Sequence, residues 1–161
     1  MKKGLYILVP VLFFVIISYL LPNEKVTTET VSVPMPVDAV TRVMTNQQEW
    51  AKWFPGTKKN DSTYLYYEAP ITIHKVLMNG FKATMINKDM NISLDFSFIA
   101  GKNARTDFTL NTVMKLSFNP ILRFKQFLSL NAAEDDSKRL LYQIQDYFSD
   151  VLKVYGYPIG M

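Results

Sequence analysis

A chain of 161 residues has room for one ordinary domain and one extra element, since domains commonly run to roughly 100–150 residues. Apolar residues make up 48%, aromatic 14% and charged 20%, which excludes a disordered chain; the net charge of +4 drops to +2 without Lys2 and Lys3, too small a surplus to argue for nucleic acid. There is no cysteine, so disulfides, thiolate metal sites and a lipid-modified cysteine are all excluded.

The chain opens with Lys2 and Lys3 and then runs without charge from Gly4 to Leu21. As a helix, Leu5 to Leu21 would reach about 26 Å at roughly 1.5 Å per residue, just short of a hydrocarbon core of roughly 30 Å. The exit SYLLPNEK lacks the small-x-small site of a cleaved signal. An uncleaved single-pass transmembrane anchor over residues 1–22 is therefore expected, with the membrane met through residues 5–21. Lys2 and Lys3 ahead of the span favour a cytoplasmic N-terminus and an extracytoplasmic domain.

Residues 23–28 read as a polar linker, and a domain is expected over 29–161. ETVSV reads as a strand that hands over to a short helix, with Pro36 at its first position, Asp38 in its first turn, and Val37, Val40, Thr41 and Met44 at helical spacing. QQEWAKWFPG, residues 47–56, then places Trp50 and Trp53 on one face of a single turn closed by Pro55-Gly56.

From Ser62 to Ser117 the period changes to alternation, which predicts an antiparallel meander. STYLYYEA and ITIHKVLM read as strands, and Asn79-Gly80 as a two-residue hairpin turn before FKATMI. Met90, Ile92, Leu94, Phe96 and Phe98 alternate with polar residues; after a turn at Gly101-Lys102-Asn103, Thr106, Phe108, Leu110, Thr112, Met114, Leu116 and Phe118 do the same. One sheet face is oily and the other wet.

The last third predicts two helices. ILRFKQFLSL follows Asn119-Pro120, and a longer helix begins at Glu134-Asp135-Asp136 with a stripe of Leu140, Leu141, Ile144, Phe148, Val151, Leu152 and Tyr155, stopping at Gly156 and Pro158. An α+β plan results, in which a long helix covers one concave sheet face.

The stretch ETVSVPMPVDAVTRVMTNQQEWAKWFPG resembles the START-like or SRPBCC superfamily, which includes polyketide cyclases and Bet v 1 proteins. The matching features are the strand Val31-Ser32-Val33, the Met35-Pro36 step, Val40, the turn at Thr45-Asn46 and the Trp50-x-x-Trp53 pair. The order of elements from Glu29 to Tyr155 fits as well. The chain departs from the pattern at Thr41, where an aromatic is common, and in a middle poor in the glycines of membrane-anchored bacterial members. Its ending VYGYPIGM resembles the junction at which some anchored members continue into a GyrI-like effector-binding domain, which would make this chain a shortened relative.

The resemblance implies a helix-grip cavity for a hydrophobic small molecule or lipid. Its candidate lining is Phe96, Phe98, Phe108, Leu110, Met114, Phe148 and Leu152, with Trp50, Trp53 and Phe54 at one end, the tryptophan turn acting as a gate. The same residues also suit a plain core. No catalytic residue, metal ligand set or cofactor is expected: His74 is the one histidine, no Gly-rich phosphate loop occurs, and Glu134-Asp135-Asp136 reads as a solvated helix start. Tyr64, Tyr66 and Tyr67 must divide between the two sheet faces. The reading is thus a membrane-anchored binding domain without catalysis. Its alternative is an interaction or sensor module with a filled core that works through its surface on a protein partner. A cyclase-like or hydrolase-like enzyme would need His74, Tyr66 or Tyr67 to converge inside the cavity.

Overall fold

The computed structural model describes residues 2–46, 48 and 50–155, with side chains described for 9–46, 48 and 50–150. Eleven elements follow one another: α1 (Lys2–Leu20), β1 (Glu24–Val33), α2 (Val37–Thr45), α3 (Trp50–Trp53), β2 (Thr57–Lys58), β3 (Thr63–Tyr66), β4 (Ala69–Leu77), β5 (Gly80–Asn87), β6 (Met90–Ala100), β7 (Thr106–Lys115) and α4 (Pro120–Tyr155). The strands form one antiparallel sheet in the order β1-β7-β6-β5-β4-β3-β2, and α4 crosses its concave face, which is the α+β helix-grip plan.

Alternation decides which side chains face α4. Along β6, Met90, Ile92, Leu94, Phe96 and Phe98 are buried; along β7, Thr106, Phe108, Leu110, Thr112 and Met114 are. Leu94 stands opposite Thr112 and Phe96 opposite Leu110, so the two oily rows share one face. The alternation ends with Leu116, for Phe118 turns out to be 84% exposed beyond the end of β7.

Four sequence expectations change. Residues 24–28, read as linker, are the first half of β1, paired from Glu24 opposite Lys115. The two C-terminal helices are one, because Asn131, Ala132 and Ala133 contain no breaker and the buried stripe Leu130, Ala133, Ser137, Leu140, Ile144 and Phe148 runs on at intervals of three and four. The β4–β5 hairpin turns at Met78-Asn79, one residue earlier than expected, with Leu77 opposite Gly80. Gly80 is needed for another reason: a Cβ there would stand 2.0 Å from the Phe96 carbonyl oxygen. The predicted helix stop at Gly156 and Pro158, and the ending VYGYPIGM, lie outside the described residues.

The fourth correction concerns the expected transmembrane helix. Among the described residues no helix is long and apolar enough to cross a membrane. Instead α1 packs along the beginning of α4, with the Phe14 and Phe124 rings 5.3 Å apart and Ser18 Oγ donating to the Pro120 carbonyl at 2.6 Å. Arg123, only 1% exposed, closes the joint: its Nη2 donates to the carbonyls of Leu21 at 2.5 Å and Pro22 at 3.0 Å and to Asn23 Oδ1 at 2.8 Å. Leu21, just past the end of α1, is among the carbonyls that a helix C-terminus leaves without intrahelical donors, so a cation beside it is favoured. Nothing in the sequence pattern distinguishes Arg123 from an interruption of an apolar helix.

Candidate functional site

Trp50 and Trp53 do share one turn, but both are buried. Their rings meet edge to face at 5.3 Å, and Trp50 Nε1 donates to the Met44 carbonyl at 2.8 Å, pinning α3 to the end of α2. From there a chain of rings crosses the core: Trp50 to Phe81 at 4.9 Å, Phe81 stacked on Phe96 at 4.3 Å, Trp53 to Phe148 at 6.5 Å, Phe148 to Phe108 at 6.3 Å, and Phe108 to Phe98 at 5.6 Å. Each such pair contributes about 0.5–1.5 kcal/mol beyond the area it buries. Of the expected lining residues, Trp50, Trp53, Phe54, Phe96, Phe98, Phe108, Leu110, Met114 and Phe148 all join this core with no more than 4% exposure. Leu152 lies outside the described side chains.

The open space lies at the rim of that core. A cavity of about 420 Å³ is bounded by Pro55, Gly56, Thr57, Leu65, Tyr66, Tyr67 and Gln143, between the β2–β3 edge and α4. The Pro55-Gly56 turn therefore lines this cavity, while neither tryptophan does. Tyr66 is 3% exposed, yet its hydroxyl has no hydrogen-bond partner; neither does Gln143 Oε1, nor the Trp53 Nε1–H. Buried polar atoms are normally paired, and leaving one unpaired costs about 1–3 kcal/mol. Burial pushes the Tyr66 phenol up to about 12, with Tyr67 adding to the rise and Arg139 opposing it.

Tyr67 stands beside this cavity on a two-residue turn, for Tyr66 pairs with Ala69. Tyr67 and Glu68 both take positive φ, 43° and 70°, where Asn and Gly are the usual residues and a bulky ring is strained. The Tyr67 ring packs edge-on to Tyr66 at 4.8 Å, with the Arg139 guanidinium 5.9 Å from its centre, contacts that hold the strained turn against α4.

A second cavity, of about 230 Å³, lies on the other side of Tyr67 between the β5–β6 turn and α4. Its polar groups are paired with one another: Lys125 Nζ with Asp89 Oδ2 at 2.5 Å, Gln126 Nε2 with the Asp89 carbonyl at 2.6 Å, and Asn87 Nδ2 with Asp136 Oδ2 at 2.9 Å. His74 sits at a bulge in β4, exposed, with Nε2 2.9 Å from Thr84 Oγ1, so it does not converge with Tyr66. Among the described residues no group of three His, Cys, Asp or Glu side chains could hold a metal ion. Tyr64 and Tyr66, two apart in β3, both face inward, while Tyr67 is exposed on the turn that follows the strand.

The chain has the helix-grip fold of the Bet v 1-like, START and SRPBCC proteins. It is similar to the ZhuI aromatase/cyclase from Streptomyces sp. R1128, at 12% identity and a TM-score of 0.52 over 85% of this chain and 98% of that one. It is similar also to Ara h 8.0201, at 9% identity and a TM-score of 0.50 over 79% and 99% of the two chains. A protein of unknown function from Staphylococcus aureus aligns at 9% identity and a TM-score of 0.52 over 81% and 98%. The sequence matches no protein-family model and no curated protein. At such identities the likeness concerns the fold alone.

Proposed function

We propose that this protein binds a hydrophobic small molecule or lipid between the sheet and α4, without catalysis, while attached to a membrane through residues 5–21. The observation that carries the reading is the cavity beside Tyr66 and Gln143. A ligand with an apolar body and a polar end would set its body against Pro55, Leu65 and the Tyr66 and Tyr67 rings, and a small opening of the lining would bring its polar end to the unpaired phenol and amide oxygen, which are sealed from solvent. The space of about 420 Å³ is large enough for a small molecule, though it is a depression largely open to solvent and would cover a ligand on one side. The uncharged run from Gly4 to Leu21 supports the membrane attachment.

A second reading is favoured by a different observation. The expected lining residues pack on one another so completely that the sheet interior holds its own side chains, as in a module that acts through its surface on a protein partner. Native mass spectrometry of the full chain, released from detergent before and after solvent extraction, separates the two. A co-purified mass that disappears on extraction is the expected result; a folded protein that carries none would sink the ligand reading in favour of the filled core.

A further inference from the structure

The cavity of about 420 Å³ between the β2–β3 edge and α4 is lined in a way that selects among ligands. In a chain with 20% charged residues, none of the seven residues that border it is charged. Arg139 and Asp136, whose charges do reach the Tyr66 phenol, act on it in opposite directions, and the Arg139 guanidinium is engaged with the Tyr67 ring, 5.9 Å from its centre. The phenol and Gln143 Oε1 are sealed from solvent, so a polar end that reaches them leaves its water behind. An ionised end would do so without meeting a countercharge, which is costly.

The two unpaired atoms also differ in kind. Burial pushes the Tyr66 phenol up to about 12, so at neutral pH it carries a proton to donate. The amide oxygen of Gln143 can only accept. A carboxylate, an ether or a ketone would satisfy the phenol and leave the amide oxygen unpaired, whereas a hydroxyl accepts from the one and donates to the other. We infer that the ligand class of this cavity is an uncharged alcohol, with its hydroxyl end between Tyr66 and Gln143 and its apolar body against Pro55, Leu65 and the Tyr67 ring. Tyr67 supplies the opening, since its ring packs edge-on to Tyr66 at 4.8 Å yet is 68% exposed, and so can swing outward into solvent.

This inference rests on the ligand reading above, and its test separates their failures. Isothermal titration of the full-length chain in phosphatidylcholine nanodiscs, with the uptake of empty nanodiscs subtracted, would compare octan-1-ol, heptyl methyl ether and octanoate at neutral pH, three probes of nearly equal size. The alcohol is expected to bind about tenfold more tightly than either of the others, because each of them leaves the amide oxygen unpaired. Gln143→Leu should abolish the preference over the ether, whereas Tyr66→Phe should weaken alcohol and ether alike and keep it. Equal affinities in the parent would overturn the inference and leave the ligand reading standing. Tightest binding of octanoate would overturn it in favour of a cationic end supplied by Arg139. A preference for the alcohol that survives Gln143→Leu would overturn it too, for the hydroxyl then lies elsewhere. No binding of any probe would overturn both.

Discussion

The core around Phe81 and the junction of α1 with α4 are both built from large apolar side chains, yet one is sealed and the other open. Phe81 touches Trp50, Trp53 and Phe96 and is wholly buried. Phe118, on the loop into α4, is 84% exposed. The difference comes from what the backbone supplies next to each. α3 sets Trp50 and Trp53 against Phe81 and β6 places Phe96 beside it, whereas α1 covers only one side of the α4 start and brings its own uncovered stripe. Apolar content by itself therefore does not separate core from exposed surface; the count of faces covered does. Soluble monomers seldom leave contiguous apolar patches of more than a few hundred Å².

The contrast can be broken most directly at its sealed end. Phe81→Ala should lower the free energy of unfolding by about 3–5 kcal/mol in denaturant titration, since it removes a buried ring from a cluster that cannot close the gap. A loss below about 1 kcal/mol would mean that the core collapses easily and is not the tightly packed cluster described above. Gly80→Ala should cost about 1–3 kcal/mol in the same assay, because the new methyl would press on the Phe96 carbonyl and force β5 away from β6.

Tyr66 sharpens the comparison at the rim. Its phenol is raised when folded, so the folded state holds the proton more tightly than the unfolded one, and its contribution is complete below about pH 10. That contribution is lost as pH rises towards 12. Thermal melts of Tyr66→Phe should accordingly show a shallower fall in stability between pH 10 and 12 than the parent, with no loss near pH 7, since the hydroxyl has no protein partner to forfeit. A marked loss at pH 7 would point to an internal partner and remove the argument for a ligand's polar end.

At the open surface the effects on stability should be smallest. Leu128→Ser should change it by no more than about 0.5 kcal/mol in detergent-free solution, as for other exposed substitutions. Glu134→Gln should cost about 1 kcal/mol or less, measured in low salt and fading in high salt, though Lys25 and Lys138 both bond this carboxylate and hold it below the usual range. A larger loss at Leu128 would show that this side chain is already covered within the chain.

Local pattern was enough for the meander, for the tryptophan turn and for the oily face of β6 and β7, because an alternating strand has only one way to hide its apolar half. It misjudged places where a local signal had a tertiary alternative. Glu134-Asp135-Asp136 suits a helix start, but the buried stripe beneath it continues and keeps α4 whole. Residues 24–28 are polar enough for a linker, yet β7 offers them a pairing edge. Asn79-Gly80 is a strong turn signal, but Gly80 is held in β5 by the approach of β6.

The amino-acid sequence by itself determined the fold class, the alternating faces of the sheet and the apolar character of residues 4–21, all properties set by neighbours in the chain. Only the tertiary structure decided that the tryptophans are buried core and Pro55-Gly56 the cavity edge, that Tyr66 and Gln143 border one cavity without partners, and that Arg123 fastens α1 to α4. Those outcomes depend on distances between residues up to about a hundred positions apart, and burial and hydrogen-bond satisfaction at such separations are settled by packing, which no local periodicity encodes.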